Sequence, residues 1–409
     1  MTESQIISSI YKAEYSKLIS VLCSIFGLSN IEIAEDIASD TFLAASESWK
    51  KKEVPENPTA WIYAAAKNKT RDYLKREKIK LEKINPELKS KQNNSYSLEW
   101  EVNESEIEDN MLQMIFAVCH PAISQESQIS LALRILCGFG NDEIASALLC
   151  SKETINKRLY RAKKLLVESQ IKLEWPAKEE VQKRLDTVLT TLYLLFNEGY
   201  YSASPDKNIR RDLCLESMRL GLLLAHNPST NFPRVNALLA LFCFQSSRLM
   251  ARESSNGDYI LYKDQDRNLW DENLINKGEI FLNRSSTGEK LSKYHLEAAI
   301  AFWHCQDGDS EKWENILQLY NYLLQIEYSP ITALNRTYAL YRANGRDEAL
   351  QTALKIDLEK NHLYHCLLAE LYQTKNLEKQ KSHLQKALQL CKNKNERAFI
   401  EKEIQKLED

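Results

Sequence analysis

The sequence has few residues that break helices: its 409 residues include only ten glycines and nine prolines. The stretches between them are rich in Leu, Ala, Lys and Glu, which are strong helix formers. This composition predicts an almost entirely α-helical protein and argues against sheet-based folds. The length is sufficient for two or three domains with sizeable cores.

The sequence also lacks the features of a secreted or membrane-spanning protein. Its nine cysteines occur singly, without a C-x-x-C pair, and their number is odd, so we interpret them as reduced core residues. No uninterrupted apolar segment approaches the roughly 20 residues that a spanning helix needs, and the N-terminus has no signal-peptide pattern. We therefore expect a cytoplasmic protein that does not contact a membrane.

The net charge of −3 gives no sign of nucleic-acid binding. The local distribution of charge does give such a sign, in two basic helices. Residues 141–167 predict a helix, a tight turn and a second helix that is capped by Ser151. The second helix has a buried stripe at Ile155, Leu159, Ala162 and Leu166. Its opposite face is polar and largely basic: Glu153, Asn156, Lys157, Tyr160, Arg161 and Lys164. Such a helix fits the DNA major groove, although a helical hairpin with a solvated basic face explains the pattern about as well.

A second basic helix is predicted from Pro58 to about Lys83, because Asn57 followed by proline is a helix-start signature. Its cations are Lys67, Lys69, Arg71, Lys75, Arg76, Lys78, Lys80 and Lys83. Trp61, Tyr63 and Tyr73 are interleaved with them, which is typical of surfaces that bind phosphates and stack on unpaired bases. The alternative is a surface helix that is packed by its aromatic residues.

The helix before it, within residues 31–49, is predicted to have an acidic exposed side. Its apolar residues Ile33, Ile37, Phe42 and Ala45 face inward. The predicted exposed acids are Glu32, Glu35, Asp36, Asp40 and Glu47. Without other information, such a side is most simply a solvated face.

The pattern divides the chain into four segments. Residues 1–84 are a small helical module, 85–106 a flexible acidic linker, 107–174 a module of about four helices, and 175–409 a series of helical hairpins. The acidic end of the linker could shield a basic surface when DNA is absent. In the last segment, Asn376 repeats the turn position of Gly345 after 31 residues, close to the period of tetratricopeptide repeats. Residues 253–268 are its one predicted non-helical excursion.

Three blocks in this order resemble a bacterial sigma factor of the sigma-70 family, in its extracytoplasmic-function group. Residues 34–49 (AEDIASDTFLAASESW) are similar to the polymerase-binding helix, with Ser39 where Gln is usual. Residues 55–77 look like the helix that recognises and melts the −10 element. Residues 116–123 and 141–167 resemble the domain that reads the −35 element. Residues 192–200, 262–271 and 334–340 resemble the subgroup with a C-terminal tetratricopeptide-like extension.

The resemblance implies an all-α protein with a sigma-2-like module, a helix-turn-helix sigma-4-like module and a helical-hairpin extension. It implies docking on the β′ coiled coil and β flap of core RNA polymerase, with Glu35, Asp36 and Asp40 on the β′ coiled coil. The −10 contacts would be Trp61, Lys67, Asn68, Arg71, Asp72, Tyr73, Lys75 and Arg76. The −35 contacts would be Lys152, Glu153, Asn156, Lys157, Arg158 and Arg161. Of these, Asn156 and Lys157 are our choice for base edges, while Lys152, Arg158 and Arg161, together with Lys163, hold phosphates.

We expect no catalytic residues, no cofactor and no metal. His362 and His365 lie three residues apart, as metal ligands can, but no second ligand pair accompanies them in the sequence. We hypothesise that the extension regulates activity in cis, by contacting the two DNA-binding modules or the polymerase. The alternatives are a regulator that binds duplex DNA without polymerase, a signalling scaffold with an incidental helix-turn-helix and, least supported, an enzyme.

Overall fold

The computed structural model describes residues 3–51, 53–84, 103–148, 150–200, 210–252, 260, 262–288, 290–306, 311–373, 375–391 and 394–407. Within these ranges every regular element is a helix, which confirms the predicted all-α class. The chain divides into two compact units, residues 1–191 and 192–409.

The α-helices of the first unit are α1 Glu3–Phe26, α2 Ile31–Lys51, α3 Pro58–Ile84, α4 Glu104–Val118, α5 Gln125–Leu131, α6 Asn141–Ala147, α7 Lys152–Glu168 and the start of α8 Lys178–Tyr200. Those of the second unit are the end of α8, then α9 Arg211–His226, α10 Pro233–Ser246, α11 Glu272–Ser285, α12 Lys293–Cys305, α13 Lys312–Ile326, α14 Pro330–Asn344, α15 Arg346–Ala353, α16 His362–Tyr372, α17 Leu377–Leu390 and α18 Lys394–Gln405.

Helices α1, α2 and α3 pack on one another, and aromatic contacts join α2 to each of the other two. Phe42 of α2 contacts Tyr11 and Tyr15 of α1, with ring centroids 4.9 and 6.2 Å apart. At the other end of α2, Trp49 is fully buried against Trp61 of α3. Aromatic pairs of this kind contribute roughly 1 kcal/mol beyond their area burial, so they fix the positions of α2 and α3.

The helices α4 to α7 form the second small module, and α4 also packs on α1. The predicted linker is shorter than expected at its acidic end, because Glu104 to Glu106 belong to the first turn of α4. Asn103 caps this helix by accepting a hydrogen bond from the Glu106 backbone N–H at 2.8 Å. Carboxylates in the first turn also interact favourably with the helix dipole. Residues 85–102 of that linker lie outside the described residues.

A π-helical turn at Ala132–Leu136 connects α5 to the segment before α6. It is followed by Gly138, which has a φ of 71° and would place a Cβ only 2.9 Å from the Tyr15 ring. Tyr11 donates a hydrogen bond to the carbonyl of the same glycine at 3.2 Å. The two small modules are therefore in direct contact within the first unit.

The first unit extends beyond the predicted end of the second module at residue 174, because the start of α8 packs on it. Val181, Leu185 and Val188 are buried. Arg184 donates to the Phe116 carbonyl at 2.7 Å, and Thr191 donates to Gln128 at 3.1 Å.

The second unit is built around α10, which is buried on nearly every side. A helix that is apolar all round is typical of a core position. Helices α9, α11 and α12 pack on it, and Gly278 of α11 allows a close approach, since a Cβ there would be 2.6 Å from the Phe244 ring.

From α12 onward each helix packs on its chain neighbours, in hairpins such as α14–α15 and α16–α17. Gly345, with a φ of 96°, forms the turn of the first hairpin, and Asn376 caps α17. The small residues predicted at helix contacts, Ala333, Ala339, Ala349 and Ala353, are all buried. This layout agrees with helical hairpins, while their assignment as tetratricopeptide-like repeats stays a prediction.

Of the predicted non-helical excursion, residues 260 and 262–268 are described and contain short 3-10 turns at Tyr262–Asp264 and Arg267–Leu269. Residues 253–259 and 261 lie outside the described part. No single described helix is long and apolar enough to cross a membrane, although the pair Gln5–Phe26 and Leu28–Lys50, bent by 118°, satisfies that test by length and composition.

Candidate nucleic-acid interface

The helix-turn-helix is formed by α6 and α7 and has the predicted buried stripe. Ile155, Leu159, Ala162 and Leu166 are at most 6% exposed. Ser151 caps α7 by accepting a hydrogen bond from the Thr154 backbone N–H at 3.1 Å. These local interactions orient α7 so that its polar face is turned to solvent.

The exposed face of α7 carries both charge and an aromatic ring. Lys152 and Lys157 have side chains that are 58% and 63% exposed, and Tyr160 is 67% exposed. Lys152 pairs with Asp142 at 2.8 Å and Lys157 with Glu153 at 2.6 Å. Ion pairs between exposed groups contribute little free energy, so phosphates can replace these carboxylates at low cost. Arg161 is exposed on the same face and Arg158 is half-buried.

Asn156 is exposed and contacts the supporting helix through its amide oxygen. The Asn141 side chain donates to this oxygen at 2.7 Å. A bidentate contact with adenine uses both amide atoms, so it would require Asn141 to release the oxygen.

The basic helix α3 begins as predicted, with Asn57 accepting a hydrogen bond from the Ala60 backbone N–H at 3.0 Å. Its exposed polar residues follow one another along the helix: Asn68, Arg71, Asp72, Lys75, Arg76 and Lys78. The acids Glu77 and Asp72 interrupt this surface, and Lys80 pairs with Glu77 at 2.6 Å. Cations remain in excess, so the face attracts phosphates.

The aromatic residues of α3 are packed against protein rather than presented as open stacking faces. Trp61 meets Trp49 edge-on at 5.6 Å, and Tyr73 meets Phe26 edge-on at 5.6 Å. Both Trp61 and Tyr73 are half-buried. In this conformation they match the alternative that the sequence left open, a surface helix packed by its aromatics.

A groove of about 640 Å³ lies beside the N-terminal half of α3. It is lined by residues of α3 including Thr59, Tyr63 and Lys67, and by Glu104 and Ile107 of α4. Tyr63 donates to Glu14 of α1 at 3.2 Å. Glu104, in the acidic first turn of α4, therefore lies next to the basic helix α3. The sequence analysis considered that this acidic end of the linker could shield a basic surface when DNA is absent.

The prediction that Glu35 is exposed is wrong. Glu35 is 5% exposed and accepts hydrogen bonds from Arg134 Nε at 2.7 Å and Lys163 Nζ at 2.5 Å. It lies one turn from the buried residues Ile31 and Ala38, on the side of α2 that faces the second module. Lys163, which was predicted to hold a phosphate, has a side chain that is only 19% exposed because of this pair.

The other acids of α2 are exposed and form a stripe, as predicted. We call this the α2 stripe: Glu32, Asp36, Asp40, Leu43 and Glu47. Leu43 was not predicted from the sequence to belong to this surface, and its side chain lies 58% exposed between Asp40 and Glu47. Leu43 lies three residues after Asp40 and seven after Asp36, and this helical spacing could have placed it on the same side of α2 as those acids. An exposed leucine between carboxylates gives a docking surface both apolar and charged character.

Comparison with known proteins gives three family matches along the chain. Residues 10–79 match Sigma-70 region 2, which includes most of α1, α2 and most of α3. Residues 114–166 match Sigma-70, region 4, which includes α5, α6 and most of α7. Residues 184–286 match a family of unknown function, DUF6596.

A relative is also similar to this chain over most of the length of both proteins. An uncharacterized protein from Rhizobium meliloti (strain 1021) is 30% identical over 385 residues, which cover 92% of this chain and 90% of that protein. No solved structure matches the chain.

Proposed function

Because the chain belongs to the sigma-70 family, as an extracytoplasmic-function type with a helical C-terminal extension, we propose which of its helices contact RNA polymerase and which contact promoter DNA. Regions 2 and 4 make it a sigma factor for promoter recognition and transcription initiation, which associates with core polymerase and DNA. Sigma factors are not enzymes, and we propose that this chain works in the cytoplasm without catalytic residues or a cofactor.

The α2 stripe docks on the β′ coiled coil of core polymerase. The observation that supports this is its exposure: Asp36, Asp40 and Leu43 are open to solvent and lie on one side of α2. Glu35 is excluded from this surface while it pairs with Arg134 and Lys163. Carboxylates around an exposed leucine suit a partner that is basic at its rim and apolar at its centre.

The basic helix α3 contacts the −10 element. Arg71, Lys75 and Arg76 neutralise phosphates, and Asn68 offers an amide for a base. Unstacking each base step costs a few kcal/mol, so strand opening requires capture of the single strand together with polymerase contacts. Trp61 and Tyr73 can stack on captured bases only if they leave their contacts with Trp49 and Phe26.

The helix α7 enters the major groove at the −35 element, and region 4 also contacts the β flap. Asn156 and Lys157 read base edges. Lys152, Arg158 and Arg161 hold phosphates and fix the register without reading sequence, and Glu153 contacts the DNA beside them. Lys163 joins the phosphate contacts once it separates from Glu35.

The test for the polymerase contact is a charge reversal, Asp40→Lys. We expect it to weaken binding of the purified chain to core polymerase by at least about tenfold, because a cation replaces a carboxylate in the docking surface. The matched control is Glu272→Lys, at an exposed acid in the first turn of α11. Equal binding by Asp40→Lys and Glu272→Lys would remove the α2 stripe from the polymerase interface.

A further inference from the structure

Three helix ends meet near the C-terminus of the second unit. His362 is the first residue of α16, Cys391 directly follows the last residue of α17, and Glu396 lies in the first turn of α18. Helix α16 packs on α17, and α17 packs on α18. These contacts bring the imidazole of His362 to a thiol and a carboxylate that lie five residues apart in the sequence.

The ligand atoms of these side chains lie within 4.8 Å of one another. His362 Nε2 is 2.9 Å from Glu396 Oε2, and Cys391 Sγ is 3.5 Å from the same oxygen. Zinc–ligand bonds of 2.0 to 2.3 Å place tetrahedral ligand atoms about 3.3 to 3.8 Å apart. The separation of 3.5 Å between Cys391 and Glu396 lies within this range, and a small movement of His362 away from Glu396 would make room for an ion.

The thiol of Cys391 and the ring nitrogen of His362 are shielded from solvent. Cys391 is 3% exposed. His362 Nε2 is shielded from solvent and lies 2.9 Å from the Glu396 carboxylate. An imidazole nitrogen and a carboxylate oxygen held this close together can both coordinate a bound cation.

The surrounding residues support the group. Cys366 lies four residues after His362 on α16, hence on the same side of the helix, and it packs against the apolar cluster that contains Cys391. Arg397 donates to the carbonyls of Leu388 and Cys391, at 2.6 and 3.2 Å, which fixes the junction between α17 and α18.

We propose that His362, Cys391 and Glu396, with Cys366 as the fourth ligand, bind a zinc-type divalent cation that holds the ends of α16, α17 and α18 together. One imidazole, two thiolates and one carboxylate are ligands that Zn²⁺ prefers in tetrahedral sites. Four protein ligands leave no open coordination position, so the site is structural rather than catalytic. His365 is not part of it, because its ring contacts His383 and the Glu359 carbonyl.

The test uses the untagged full-length chain, stripped with a chelator and reloaded with Zn²⁺ or Co²⁺. We expect one tightly held zinc per chain by elemental analysis and a thiolate-to-metal charge-transfer band with Co²⁺. Zinc should also slow alkylation of Cys366, the partly exposed thiol of the group, as mapped by mass spectrometry, while Cys150 remains reactive. A reloaded natural chain without stoichiometric zinc overturns the proposal.

Variants assign the ligands. His362→Gln and Cys391→Ser should each lower zinc affinity by at least about a hundredfold, more than the loss of an outer-shell partner does. The matched controls are His226→Gln, at an exposed histidine, and Cys150→Ser, at a half-exposed cysteine of the first unit. Unchanged zinc affinity in Cys391→Ser overturns the site, and unchanged affinity in Cys366→Ser removes Cys366 as the fourth ligand.

Discussion

Asn156 and Arg161 lie on the same exposed face of α7, yet we expect them to contribute in different ways. An amide can pair with the edge of one base, whereas a guanidinium on a phosphate binds any sequence equally well. The difference is measurable because the first contact determines specificity and the second determines the dependence of affinity on salt.

Asn156→Ala should cost about 1–3 kcal/mol of binding free energy on the best promoter and relax base preference at one position. Arg161→Ala should weaken binding to all sequences alike and lower the salt slope by about 1. Titration of the sigma–polymerase complex on a panel of −35 sequences, at several salt concentrations, separates the two. The assignment of Asn156 to a base edge is wrong if Asn156→Ala weakens every sequence equally.

Glu297 of α12 gives the second unit a pH-dependent stability. Burial raises the pKa of its carboxyl to about 7 from a usual value of 4.5, although the Tyr193 hydroxyl and Lys293 oppose the shift. Between these values the folded state binds more protons than the unfolded state. The contribution of Glu297 to the free energy of unfolding is therefore fully present below about pH 4.5 and is lost as the pH rises through 7.

Glu297→Gln removes this titration, so its stability relative to the natural chain should increase with pH. We expect little difference at about pH 4.5 and a gain of about 2 kcal/mol at about pH 8, after allowance for partial exposure. Thermal unfolding of both proteins across this range measures it, and the subtraction cancels every other titrating group. A difference that stays constant with pH would show that Glu297 has a normal pKa in the folded protein.

At the scale of whole helices, the contact between α2 and α7 is the main unexpected feature. Glu35 lies between Arg134 and Lys163, with all three side chains at most 25% exposed. Removing one member of a buried ion pair leaves a charge without compensation, which is more destabilising than loss of an exposed pair. This contact also removes Glu35 from the α2 stripe and Lys163 from the DNA-binding face.

Lys163→Met should lower the unfolding free energy of the first unit by about 1–2 kcal/mol. This loss is smaller than that of leaving a buried charge entirely unpaired, because Arg134 still compensates Glu35. Combination with Glu35→Gln in a double-mutant cycle should show coupling of the same order. Denaturant unfolding of the four proteins provides the values. Strictly additive effects would mean that the two side chains do not interact in solution.

The sequence was sufficient for features that depend on near neighbours. The buried stripe and Ser151 cap of α7, and the Asn57 cap of α3, follow from spacings of three or four residues. Glu35 could not be assigned in this way, because its partners Arg134 and Lys163 are 99 and 128 residues distant. The His362, Cys391 and Glu396 group was also missed, because only the packing of α16 on α17 brings His362 to the other two residues.

At the scale of the whole molecule, the open question is what the extension does. We propose that it regulates the sigma modules in cis, and truncation tests this idea. The cut belongs after Thr191, where the first unit ends, rather than after Trp175, because Val181, Leu185 and Arg184 of α8 pack in the first unit. A cut at 175 would expose that core and confuse misfolding with regulation. A later cut would expose Leu192, Leu195 and Phe196, which are buried in the second unit.

Residues 1–191 should initiate transcription at the same promoters as the full chain but at a different level, if the extension regulates in cis. In vitro transcription with core polymerase compares the two, and unfolding curves verify that the truncated chain is folded. Equal transcript levels from a folded truncated chain would leave the extension without a regulatory role at these promoters.

The proposed function requires that two basic helices, α3 and α7, act from one polymerase-bound chain. The most direct measurement is in vitro transcription on genomic fragments by core polymerase with and without the purified full-length chain. We expect a stable complex with core polymerase and new transcripts that start at defined sites and disappear in Asp40→Lys. Tight DNA binding without association with core polymerase, and without new start sites, would contradict it.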